Sequence, residues 1–144
     1  MSLRSKILLT LQFLCFGYFV FFQELLASGI YILVQFFGFL LCLWSIAVMG
    51  IGNFNAQPEV KMNARLIKFG PYAKIRNPMY AGLLLFFGAG IISNFNWQGL
   101  IAWACLTLIF VLKISDEEKY LTERFGTHYT EYRSSTFRMI PFLF

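Results

Sequence analysis

Four apolar runs constrain this sequence more than any other feature. They read from about Ile7 to Leu26, Ile30 to Gly52, Met79 to Ser93 and Trp97 to Ile114. A helix needs about 20 apolar residues to cross a bilayer, with about 17 as a lower limit. The first, second and fourth runs meet that requirement. The third is short and carries Gly82, Gly88 and Gly90. It still reads as a helix, because Asn94-Phe95-Asn96 leaves room only for a tight hairpin into the fourth run. Its glycines would let a neighbouring helix approach closely.

Composition points the same way. Of the 144 residues, 58% are hydrophobic and 13% charged, against about 25% charged in an average soluble domain. The expected fold is an all-α integral membrane protein with about four transmembrane helices, forming one domain over residues 1–144. Arg4 and Lys6 before the first run would suit a signal peptide. However, Leu25-Leu26-Ala27-Ser28 lacks the small-x-small cleavage pattern, so a retained helix is expected. Cys15, Cys42 and Cys105 each sit inside an apolar run. There they act as small hydrophobes, and no Cys/His spacing suggests a metal site.

Charge gives the orientation. Threading four spans from a cytosolic N-terminus puts Arg4 and Lys6 inside. The same threading puts Lys61, Arg65, Lys68, Lys74 and Arg76 inside, in the loop 53–78. Lys113, Lys119, Arg124, Arg133 and Arg138 follow at or beyond the end of the fourth span, so all 12 basic residues share one side. The opposite loops carry only Glu24. The positive-inside rule then makes both termini cytosolic. Topology accounts for the basic loop without a nucleic-acid partner.

The chemistry is expected on that face, in the loop 53–78 and the tail 115–144. The stretch Leu66–Gly82, LIKFGPYAKIRNPMYAG, is polar, basic and aromatic between two apolar runs. The tail opens with Asp116-Glu117-Glu118, and Leu121, Phe125, Tyr129 and Tyr132 then recur at helical spacing. That spacing predicts an amphipathic helix running on from the fourth span. The apolar end, Arg138 to Phe144, is expected to lie back on the membrane face or the protein. An acidic run at such a place is most often a solvated helix face. The functional alternative is an anion site for a cationic ligand beside aromatic rings. Tyr72 and Tyr80 can equally be interfacial anchors, and Pro71 and Pro78 simple turn and helix-start signals. His128 reads as a surface histidine. No catalytic triad, Walker loop or dinucleotide fingerprint is present.

Two motifs together carry a resemblance. The first is Leu66-Ile67, Gly70-Pro71-Tyr72, then Arg76-Asn77-Pro78-Met79-Tyr80-Ala81-Gly82. The second is Glu117-Glu118, Leu121, Phe125-Gly126, Tyr129, Tyr132 and a late Pro141. In this order, separated by a helical hairpin, they resemble the isoprenylcysteine carboxyl methyltransferase family, whose wider group includes phospholipid N-methyltransferases. The resemblance covers Asn53 to Pro141. It implies a membrane enzyme that binds S-adenosylmethionine at the cytosolic boundary and methylates a lipid-soluble or amphipathic acceptor. By the resemblance, Gln57, Ala64, Arg65, Leu66 and Ile67 would line the cofactor pocket. So would Tyr72, Asn77, Pro78, Met79 and Tyr80, and Glu117 would hold a polar group of the cofactor. Lys113 sits where the family often has an arginine near the acceptor. No catalytic acid or base and no metal is implied.

Two departures matter. Asn77 stands where the family usually has histidine; it can donate and accept hydrogen bonds but does not titrate near neutrality. Lys113 cannot make an arginine's planar bidentate contact with a carboxylate. Two further readings stay open. Sterol reductases, which use NADPH, share an Arg-x-Pro-x-Tyr-x-Gly run and a terminal Arg-x-Ile-Pro segment, matched here by Arg138 to Pro141, but have many more spans. A non-catalytic membrane scaffold that keeps the fold is the other.

Overall fold

The computed structural model describes residues 2–50 and 65–140. Among these residues there are five α-helices: α1 (Leu3–Phe22), α2 (Tyr31–Met49), α3 (Pro78–Ser93), α4 (Trp97–Phe125) and α5 (Thr127–Ser134). A single 3₁₀ turn, Gly70–Ala73, precedes α3. Strands are absent among the described residues apart from one isolated parallel bridge, Ile75 to Phe137. The all-α membrane architecture is therefore as expected. Helices α1, α2 and α4 are long and apolar enough to cross a membrane, and α3 is a shorter apolar helix.

Local sequence sets the helix ends. Ser2 caps α1 by accepting the Ser5 N–H at 3.1 Å. Asn96 caps α4 by accepting the Gly99 N–H at 2.6 Å. Pro78 opens α3 at a position where its missing N–H costs nothing. The turn from Ser93 to Trp97 is the tight hairpin the sequence implies. Helix α1 ends at Phe22, where Gln23 turns extended, and α2 ends at Met49, where Gly50 adopts φ +71°, each short of the end of its apolar run.

One expectation is corrected. The tail is not a single helix running on from the fourth span. Helix α4 does continue past Ile114, but it stops at Gly126, whose φ is +53°. Only glycine adopts that conformation without strain. Leu121 and Phe125 therefore lie on α4, while the buried Tyr129 and Tyr132 lie on α5.

Helices α2 and α3 make the closest contact. A Cβ on Gly82 would lie 2.7 Å from both Cys42 Sγ and the Gly38 carbonyl oxygen. One on Gly38 would lie 2.8 Å from the Gly82 carbonyl oxygen and from Phe86 N. The two backbones touch through paired glycines, one of which, Gly38, the α3 pattern alone does not reveal. Gln35 fastens the far end: it accepts the Ala27 N–H at 2.9 Å and donates to the carbonyls of Leu25, at 2.6 Å, and Phe86, at 3.3 Å. Helices α1 and α4 are joined at both ends, by Gln23 with Asn96 and by Arg4 with Asp116. The core between them holds Phe19, Leu84, Leu106, Phe110 and Ile114, with Tyr80 stacked on Phe110 at 4.6 Å.

Most of α3 is buried by its neighbours, so its length need not match the bilayer. At 1.5 Å per residue it rises only about 24 Å, short of an apolar thickness of about 30 Å. Its far end is satisfied internally: the Ser28 N–H donates to Ser93 Oγ at 2.7 Å, and Asn94 Nδ2 donates to the Leu26 carbonyl at 3.3 Å. Phe13, Leu14, Phe37 and Trp44 point outward from α1 and α2, as an apolar solvent requires.

Gly82→Val should separate α2 from α3 and cost about 1–3 kcal/mol by overpacking. Gly17, whose added Cβ would meet nothing within 4 Å, provides the control. Melting in detergent should fall clearly for Gly82→Val and hold or rise for Gly17→Ala; equal melting of the two variants would contradict the contact.

Candidate active site

The charged end of the bundle collects the N-termini of α1 and α3, the end of α4, and α5. Three consecutive carboxylates on α4 organise it. Asp116 pairs with Arg4 at 2.8 Å. Glu117 accepts a hydrogen bond from the Tyr80 hydroxyl of α3 at 2.7 Å. Glu118 accepts from Arg76 Nε at 3.0 Å and from Arg138 Nη2 at 2.5 Å. The acidic run is thus not a solvated face. Successive helical residues point about 100° apart, so three in a row reach three different elements.

Burial raises the Glu118 carboxyl, but the hydrogen bonds and charges of Arg138 and Arg76 outweigh it and hold the group below its ordinary value. Glu117 goes the other way. Burial pushes it up to about 7, against the Tyr80 hydrogen bond and the Lys113 charge, while Glu118 and Asp116 add to the rise. Two adjacent carboxylates therefore differ because the arginines serve one and a tyrosine serves the other.

Lys113, one turn before Glu117, is fully buried. Its ammonium donates to Gln12 Oε1 of α1 at 2.6 Å and lies 5.5 Å from the Tyr80 ring centre. A charged group at such a depth persists only with partners, and it marks a functional candidate. Gln12 is the partner that the resemblance does not supply. Its signal in the sequence is an amide set deep within the first apolar run, about a turn and a half after Lys6.

The segment before α3 is shaped by the 3₁₀ turn. Gly70 adopts φ +62°, and a Cβ there would lie 2.9 Å from Val48 Cγ2. Pro71 and Tyr72 are buried, and the Tyr132 hydroxyl of α5 donates to the Tyr72 carbonyl at 2.6 Å. Burial raises the Tyr72 hydroxyl, with Tyr132 and Glu117 adding to the rise. Cys42 of α2 donates to the Met79 carbonyl at 3.4 Å. Asn77 donates through both its backbone N–H, at 3.1 Å, and its Nδ2, at 3.0 Å, to the Arg138 carbonyl.

Tyr72, Tyr80, Glu117 and Lys113 therefore belong to one neighbourhood, and Pro78 and Met79 precede Tyr80 at the start of α3. Leu66 and Ile67 are half-buried in the extended stretch before the turn, and Arg65 is exposed. Gln57 and Ala64 lie outside the described residues, as does Pro141. His128 is exposed, and its carbonyl accepts from Lys68 Nζ at 3.2 Å.

Spanning helices with ionisable and aromatic groups gathered at one end define a multi-pass integral membrane protein with a polar site at the bundle's rim. A family model described as phospholipid methyltransferase matches residues 26–128. The chain belongs to the phospholipid methyltransferase family, which makes it a methyltransferase of the wider group that its two motifs resemble. No curated protein matches the chain.

The raised Glu117 carboxyl has a definite consequence. A carboxyl whose folded pKa lies above its ordinary value of 4.5 stabilises the fold below that value, and the contribution is lost as pH rises through about 7. Wild-type stability should fall relative to Glu117→Gln between about pH 4 and 8, by about 3 kcal/mol at most. Thermal melting of both proteins across this range checks it, and parallel curves would contradict it.

Proposed function

We propose that this protein transfers a methyl group from S-adenosylmethionine to a lipid-soluble or amphipathic acceptor at the cytosolic face of its membrane. The observation that carries this reading is the Tyr80–Glu117–Lys113 cluster at the polar end of a chain of this family. A ligand bearing an ammonium and a sulfonium suits a carboxylate set beside aromatic rings. When bound, the cofactor supplies a methyl group on sulfur, ready for in-line displacement.

The chain's own residues then have simple tasks. Glu117 holds the cofactor's amino group, and Tyr80 keeps that carboxylate in place through its 2.7 Å hydrogen bond. The Tyr72 and Tyr80 rings, with Leu66, Ile67, Pro78 and Met79, wall the pocket against water. Arg65 belongs to the same wall, to which the family resemblance also assigns Gln57, Ala64 and Asn77. Lys113 faces the acceptor, where an ammonium acts as a point charge and suits a phosphate as readily as a carboxylate. Methyl transfer from a sulfonium depends on alignment and desolvation more than on a strong base. That fits a site whose carboxylates and lysine are all engaged in hydrogen bonds or ion pairs.

The cytosolic assignment rests on the charge pattern. All 12 basic residues thread to one side. The Arg4–Asp116 and Arg76–Glu118 pairs are consistent with that threading, since they join the chain's start, the loop and the tail at one end. A lipid acceptor would approach laterally between helices, and the soluble cofactor from the aqueous face.

Calorimetric titration of folded protein with S-adenosylmethionine tests this. Binding is expected, weakened at least about tenfold in Glu117→Ala through loss of a charge-assisted hydrogen bond. Affinity should also rise with pH up to about 7 and then level, because a cation favours the ionised Glu117. Absence of binding, or displacement by NADPH, would overturn the cofactor assignment. Tritiated methyl transfer into a membrane extract should label the lipid fraction; binding without any turnover would instead indicate a scaffold.

A further inference from the structure

The stretch after α5 forms a strap. Residues 136–139 run beside residues 74–77, zipped by backbone bonds: Phe137 N–H to the Lys74 carbonyl at 2.9 Å, Arg76 N–H to the Phe137 carbonyl at 2.8 Å, and Asn77 N–H to the Arg138 carbonyl at 3.1 Å. Met139 then inserts into the core beside Tyr80 and Phe110. The strap thus ties the segment that carries Tyr72 and Asn77 to the spanning helices. It lies beyond residues 26–128, the part that the family model matches.

Side chains hold the zip closed at two places. Glu118 bridges one arginine from each segment, Arg76 and Arg138, with all three side chains largely buried. Arg76 also donates to the carbonyls of Arg133, at 2.9 Å, and Thr136. At the second place the Asn77 side chain adds an Nδ2 bond to the oxygen its own backbone already reaches. A carboxylate shared by two buried guanidiniums is costly to break, since removing its charge leaves two cations unmatched.

The geometry points to Asn77 and Glu118 as positioning residues: they fasten the C-terminal strap, and the fastened strap sets the cofactor wall. Their contribution is made through the strap they hold. This assigns Asn77 a use that needs a hydrogen-bond donor and no titrating proton. Neighbouring Glu117 keeps the ligand-binding task, so the Glu-Glu pair divides between ligand and scaffold. The positioning half rests on the S-adenosylmethionine reading above; the fastening half does not.

Asn77→Asp removes the donor at nearly constant shape and turns a carboxylate toward a carbonyl. Glu118→Gln removes the charge both arginines share. Asn77→His keeps a ring N–H donor. Each is compared with wild type by amide hydrogen exchange and by S-adenosylmethionine titration. In the first two variants the amides of Arg76, Asn77 and Phe137 should exchange at least about tenfold faster while α1 to α4 keep their protection. Cofactor affinity should drop by at least about tenfold in both and stay within about threefold in Asn77→His. Unchanged exchange at those amides in both variants would overturn the fastening. Faster exchange with unchanged affinity would overturn the positioning. Wild-type protein that bound no S-adenosylmethionine would sink the proposed function and the positioning with it, while the exchange measurement would still decide the fastening.

Discussion

An acidic run at the end of an apolar helix must be neutralised from other elements, and that requirement assembles the polar end of this bundle. Asp116, Glu117 and Glu118 diverge around α4 and take their partners from α1, from α3, and from the loop and tail. Each bond is local, but together they fix where α1 starts relative to α4 and where α3 enters. They also fix where the chain's last described residues return. Near lipid an unmatched carboxylate is expensive, so the arrangement is strongly specified.

Unequal matching is what makes the site useful. Glu118 is saturated by arginines and stays ionised, which suits a fastener. Glu117 receives a tyrosine hydroxyl and sits near neutrality, which suits a group that accepts a cationic ligand. The close packing of α2 on α3 through Gly38 and Gly82 supports this from the side. It sets the height of Pro78 to Tyr80, and so the distance at which Tyr80 meets Glu117.

Much of this was legible in the sequence. Apolar run lengths and the Asn94–Asn96 hairpin gave the helices, because lipid leaves few alternatives. The order of the two motifs gave the family, which the match over residues 26–128 shows. Tertiary pairings were not legible. No local pattern says that Arg4 meets Asp116, that Gln12 meets Lys113, or that Arg138 returns to Glu118, since each pair is separated by most of a helix or more. The break at Gly126 is invisible in the pattern because the apolar spacing of Leu121, Phe125, Tyr129 and Tyr132 persists across it. Periodicity follows the buried face, whereas the backbone follows the glycine. The acidic run was ambiguous for the same reason: its spacing describes one helix, and its partners belong to others.

The most direct measurement is photolabelling with S-adenosylmethionine tritiated in its methyl group, followed by peptide mapping. Label is expected in peptides spanning Tyr72 to Tyr80 or Lys113 to Glu118, suppressed by excess unlabelled cofactor. Label confined to the opposite end of the bundle, around Gln23 and Asn96, would contradict it.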